Sequence, residues 1–123
     1  MSDDLIRVDL RTRPCPDRMF VISDAMPTIS GPEQFKLYNT EVKIEGGRLI
    51  NSQGNLAGAH ITMSQSVKRL IENIGLSPTE ALKMAISVPA AVIGKPELGQ
   101  LLNRPVEDLI ILKDNFEFKK IVF

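Results

Sequence analysis

The chain has 123 residues, 43% of them hydrophobic but only 5% aromatic, with 15 Lys plus Arg balancing 15 Asp plus Glu. That length suits one compact domain and is about half of the roughly 250 residues in a closed eight-stranded α/β barrel. The balanced, scattered charge excludes an electrostatic footprint for nucleic acid or an anionic membrane, and the single Cys15 excludes an intrachain disulfide.

Met1-Ser2-Asp3-Asp4 is acidic where a secretory leader is basic. With the lone cysteine, this makes a cytoplasmic location the expectation. Ser2, Asp3 and Asp4 are N-cap candidates for a short helix carrying Leu5, Ile6, Val8 and Leu10. Arg13-Pro14-Cys15-Pro16-Asp17 stops it, because each proline removes a donor and restricts the residue before it. Met19 to Ile22 is continuously apolar and reads as a strand covered on both faces, as in a parallel sheet, and it ends on Ser23-Asp24-Ala25.

Pro27 to Pro32 is a loop. Alternation then takes over at Phe35, Leu37, Val42, Ile44 and Leu49, with Gly46-Gly47 supplying the positive-φ residues of a hairpin turn. Residues 35 to 50 are therefore expected as a small antiparallel ribbon, and Asn51 to Asn55 as a second turn. Leu56 to Ala59 is expected as a loop opening a helix whose buried stripe is Val67, Leu70, Ile71 and Ile74, closed by Gly75. Ser77-Pro78-Thr79-Glu80 combines a capping box with proline at the first helical position. The helix that follows buries Ala81, Leu82, Ala85 and Val88, and Pro89 kinks or ends it. Leu109 to Leu112 and Phe116 to Phe123 read as a terminal hairpin. The longest apolar stretch, Ala85 to Gly94, is broken by Ser87 and Pro89 and is too short to span a bilayer.

Val21-Ile22-Ser23-Asp24-Ala25, followed after a ribbon by Leu56-Ala57-Gly58-Ala59, resembles the N-acetylglucosamine-6-phosphate deacetylase family of the amidohydrolase superfamily. Glu80 to Ala85 with Pro89-Ala90, Gly99-Gln100-Leu101, and Asp108 to Leu112 are similar to the superfamily's later segments. Asn103-Arg104 departs from the Pro-Gly usual before the last strand, and Glu107-Asp108 from the usual Ala-Asp. The resemblance runs from about Asp3 to Phe123. It implies an α/β fold, the C-terminal fragment of a TIM-like (β/α)8 barrel with β-hairpin pieces of an accessory domain. On that reading residues 1–34 are the last barrel helix, strand and loop, and 35–55 a hairpin insert. Residues 56–94 are the substrate loop and helices, and 95–123 the accessory strands.

The same resemblance implies hydrolysis of N-acetylglucosamine 6-phosphate to glucosamine 6-phosphate and acetate. Asp24 would be the catalytic proton-transfer group, general base and then general acid, and a second-shell or weak metal ligand. Leu56, Ala57, Gly58 and Ala59 would line the sugar pocket through backbone groups. The family uses a divalent metal, zinc or iron, held by Glu and His residues of earlier strands that this chain does not contain. None is expected on the fragment alone, and neither is activity. The implied partners are the missing N-terminal barrel portion and, by family habit, a second copy in a homo-oligomer. His60, the only histidine, reads as a polar residue near a helix start, since one His with distant Cys15 and Asp24 does not make a zinc site. Cys15 has no nearby base to activate it. The alternatives are a non-catalytic α/β remnant or oligomerising module, and a fragment of another amidohydrolase of the cytosine or dihydroorotate type.

Overall fold

A computed structural model of the chain describes residues 2–13, 15, 18–24 and 26–120. The expectations placed on Pro14, Pro16, Asp17, Ala25 and residues 121–123 lie outside them. The fold is α/β with small antiparallel sheets, and the chain divides into two compact units.

The first unit joins residues 1–22 to residues 63–123 and is mainly helical. Helix α1, Asp3–Thr12, starts where Ser2 accepts a hydrogen bond from the Leu5 N–H. It is fastened to α2, Met63–Arg69, because Arg69 Nε donates to Asp3 Oδ1 at 2.7 Å. That guanidinium, with Asn73, holds the Asp3 carboxyl below the usual range. Helix α2 widens into a π-helical turn, Leu70–Ile74, and stops at Gly75 in the left-handed conformation expected of a C′ residue.

Helix α3, Pro78–Leu82, begins with the capping box that the sequence encodes, both reciprocal bonds being present. The helical path does not end at Pro89. A π-helical turn, Lys83–Ser87, runs directly into α4, Val88–Val92. Proline has no N–H and its ring crowds the carbonyl four residues back, so a wider turn ahead of it lets the rod continue. Leu10, Val67, Leu70, Ala81 and Met84 form the core of this unit. Among the described residues no helix is long and apolar enough to cross a membrane.

Residues 19–22, expected as a buried strand, carry no regular secondary structure and belong to no sheet among the described residues. The Val21 N–H donates to the Met84 carbonyl at 3.0 Å, and Met19 and Val21 pack on the helical core. Phe20 is exposed and Ile22 is 72% exposed. Only one face is covered, and strand pairing requires neighbours that the described residues do not supply. Strands β5, Ile110–Leu112, and β6, Phe118–Lys120, form the expected hairpin.

The second unit, Ser23–Thr62, is an antiparallel meander of four strands. These are β1 (Gln34–Leu37), β2 (Thr40–Glu45), β3 (Arg48–Asn51) and β4 (Leu56–Ala59). The ribbon is thus longer than its alternation suggested. Gly46 and Gly47 turn β2 into β3 with φ of 57° and 75°, the conformation that a two-residue hairpin requires. Val42 and Leu49 are its fully buried side chains.

Glu80 gives this fold a pH signature. The Ser77 hydroxyl and then the Ser77 N–H hydrogen-bond its carboxylate and hold it below the usual range. A carboxyl depressed by folding stabilises the protein above its unfolded titration range, and that contribution disappears as pH falls through the folded value. Glu80→Gln should therefore melt earlier than the parent chain at neutral pH. The gap between the two melting curves should close in acid, and a gap independent of pH would remove this role.

Candidate functional site

Asp24 lies ahead of the meander in sequence and belongs to the same compact unit. Its side chain is exposed and its backbone is left-handed, φ 62°, a conformation that aspartate tolerates better than most residues. Immediately after it the chain makes a tight turn, with the Ile29 N–H donating to the Met26 carbonyl at 3.1 Å. Thr28, inside that turn, is only 3% exposed.

The four residues expected as a pocket loop form strand β4 instead. Asn51 is the cause: its side-chain oxygen accepts from the N–H of Gln53 and of Asn55, at 3.0 and 2.8 Å, and reverses the chain into a new strand. Pairing with β3 shifts register between Leu49 and Ile50, so this edge is bulged. Strand β4 is the last of its sheet. An edge strand keeps one row of backbone donors and acceptors outside the ladder, which suits recognition by main-chain groups. Leu56 and Ala59 are exposed, and Ala57 and Gly58 are half-buried.

Two contacts bring the turn after Asp24 against β4. A β-carbon on Gly58 would lie 2.8 Å from Met26 Cε and 3.4 Å from Leu49 Cδ1, and the φ of this residue is +152°. Only glycine allows that approach in that conformation. Two residues further along both segments, His60 Nδ1 and Thr28 Oγ1 are 3.0 Å apart. Asp24, the Met26–Thr28 turn, Leu56–Ala59 and His60 therefore share one compact unit. Sequence reasoning missed Met26 and Thr28, which carry no motif, and gave His60 no role. The one signal available was Gly58, a glycine within an apolar segment.

The described residues contain no group of three or more His, Cys, Asp or Glu arranged to hold a metal ion. The donor set of these residues does not fit a metal centre. Cys15 is half-buried. A separate groove of about 460 Å³ lies in the helical unit, lined by Leu82, Ile86, Leu98 and Ile110 and by the Arg104–Asp108 ion pair at 2.8 Å. It contains none of the residues expected at the site.

No protein-family model matches the chain. It is similar to the N-acetylglucosamine-6-phosphate deacetylase of Haemophilus influenzae, 26% identical over 116 residues that make up 91% of this chain and 30% of that protein. It is 33% identical over 79 residues to the N-acetylgalactosamine-6-phosphate deacetylase of Escherichia coli O157:H7, covering 63% of this chain and 21% of that protein. The fold matches a crystal structure of N-acetylglucosamine-6-phosphate deacetylase from Pasteurella multocida with a TM-score of 0.84 at 26% identity, over 96% of this chain and 31% of that one. The chain thus spans about a third of the Haemophilus and Pasteurella proteins, and less of the Escherichia one.

Proposed function

We propose, on the premise that this chain is related to part of the N-acetylglucosamine-6-phosphate deacetylases, that it is the C-terminal portion of such an enzyme. It would contribute the closing piece of a (β/α)8 barrel to the hydrolysis of an N-acetyl amino-sugar phosphate. The observation that carries this reading is the match to the Pasteurella structure over nearly the whole chain. The one-faced packing of residues 19–22, with Ile22 left in solvent, also supports a segment whose strand neighbours come from elsewhere. The missing barrel portion and a second copy of the enzyme are the partners that belong to this proposal.

Asp24 is then the proton carrier. As water attacks the amide carbon, the carboxylate takes a proton from it, and as the C–N bond breaks the carboxylic acid returns a proton to the departing amine. Exposure in this chain is compatible with a group that faces a cleft completed by other strands. Strand β4 contributes backbone donors and acceptors from Leu56, Ala57, Gly58 and Ala59 to hold the sugar. A zinc or iron ion belongs to the proposal only through residues outside this chain.

The test is release of glucosamine 6-phosphate from N-acetylglucosamine 6-phosphate. It is run on the purified chain and on the chain produced together with any polypeptide encoded in frame upstream of Met1. The chain alone should show no release, and the longer protein should turn over. Robust turnover by the chain alone overturns the fragment reading, and an inactive longer protein overturns the deacetylase. A second reading, an N-acetylgalactosamine 6-phosphate substrate, is favoured by the 33% identity to the Escherichia coli relative. The two sugars differ only in the configuration at C4, so running both in one assay separates the readings.

A further inference from the structure

We propose that Thr28 and His60 are a pair of positioning residues that latch strand β4 to the turn following Asp24. The latch rests on geometry alone, and its bearing on catalysis rests on the deacetylase reading. Thr28 is almost wholly enclosed, and a hydroxyl taken out of water has to find a partner. Its partner is the only histidine of the chain, 32 residues away, with Nδ1 at 3.0 Å. A hydroxyl donates or accepts as the imidazole tautomer demands, so this contact can be made in either neutral tautomer.

Packing alone does not call for this choice. Valine has nearly the shape of threonine and would fill the same space without a polar atom to satisfy. The second contact, Met26 on Gly58, lies two residues back on both segments. Two anchor points fix separation and tilt together, whereas one leaves a pivot. The consequence falls first on the main-chain groups of residues 56–59 that would hold the sugar, and only secondarily on their distance from Asp24.

The test compares Thr28→Val, which keeps shape and loses the hydroxyl, with Thr28→Ser, which keeps the hydroxyl. Backbone amide exchange and the His60 ring nitrogens are followed by NMR in the full 123-residue chain. In Thr28→Val the ladder-bonded amide of the Gly58–Ala59 pair should exchange about five- to tenfold faster and the His60 Nδ1 resonance should move. Thr28→Ser should behave as the parent, with the amides of α3 unchanged in both. His60→Leu should reproduce the valine result with Thr28 intact, which keeps the test decisive if one variant folds poorly. Unchanged exchange in both Thr28→Val and His60→Leu overturns the latch. In the longer active protein, Thr28→Val should raise KM about tenfold with a smaller change in kcat, and serine should restore it. An unchanged KM beside loosened amides overturns the positioning role. Absence of hydrolysis by the parent protein instead removes the deacetylase reading, and the exchange data still decide the latch.

Discussion

On the proposed deacetylase reading, Asp24→Asn in the longer protein is expected to lower kcat by about 100- to 10,000-fold, the usual worth of a positioned acid–base group. The amide keeps the shape of the carboxylate and cannot accept the proton of the attacking water or return one to the amine. Substrate affinity should change little, because on the same proposed reading the hold on the sugar belongs to the main chain of β4. Isothermal titration with N-acetylglucosamine 6-phosphate alongside steady-state kinetics separates the two quantities. The backbone makes this substitution mild, since asparagine shares the tolerance of aspartate for the left-handed conformation seen at φ 62°. A variant that keeps full turnover removes Asp24 from the chemistry, whatever the fate of the family assignment.

Leu49→Ala should be the most damaging single change to the meander, costing about 2–5 kcal/mol. Leu49 is 0% exposed, sits in β3 opposite Ile44 of β2, and lies directly beneath the point where Met26 meets Gly58. Removing three carbons there leaves a cavity beside the bulge between Leu49 and Ile50, where the ladder is already irregular and cannot close up cheaply. Because the chain is organised as two compact units, the loss should be uneven. Residues 40–59 should lose exchange protection at lower urea than residues 63–92. A single transition for both regions, displaced by less than about 1 kcal/mol, would contradict this account.

Features governed by near neighbours in sequence were readable in advance. The Ser77–Glu80 capping box, the Gly75 helix stop and the Gly46-Gly47 hairpin turn each depend on a handful of adjacent residues, and all three are present. What failed depends on distant ones. Residues 19–22 have the composition of a strand, but a strand exists only beside another. Leu56–Ala59 became β4 because an asparagine side chain reversed the chain just ahead of it, which apolar periodicity does not register. Pro89 reads as a kink or a stop on local grounds, and which of the two occurs is decided by the π-helical turn before it, through which the path continues. Of the candidate site, Asp24 and residues 56–59 are proposed from family motifs, whereas Thr28 meets His60 only after the whole sheet has formed.

The backbone at Gly58 also constrains how this sequence can change over time. Gly46, Gly47, Gly54, Gly75 and Gly94 would all find open space for a β-carbon, whereas one at Gly58 would press on Met26. That neighbour is the flexible end of a side chain and can swing aside, so the lasting barrier is the φ of +152°. Replacement of Gly58 therefore depends on how β4 is bent rather than on which side chain stands at 26.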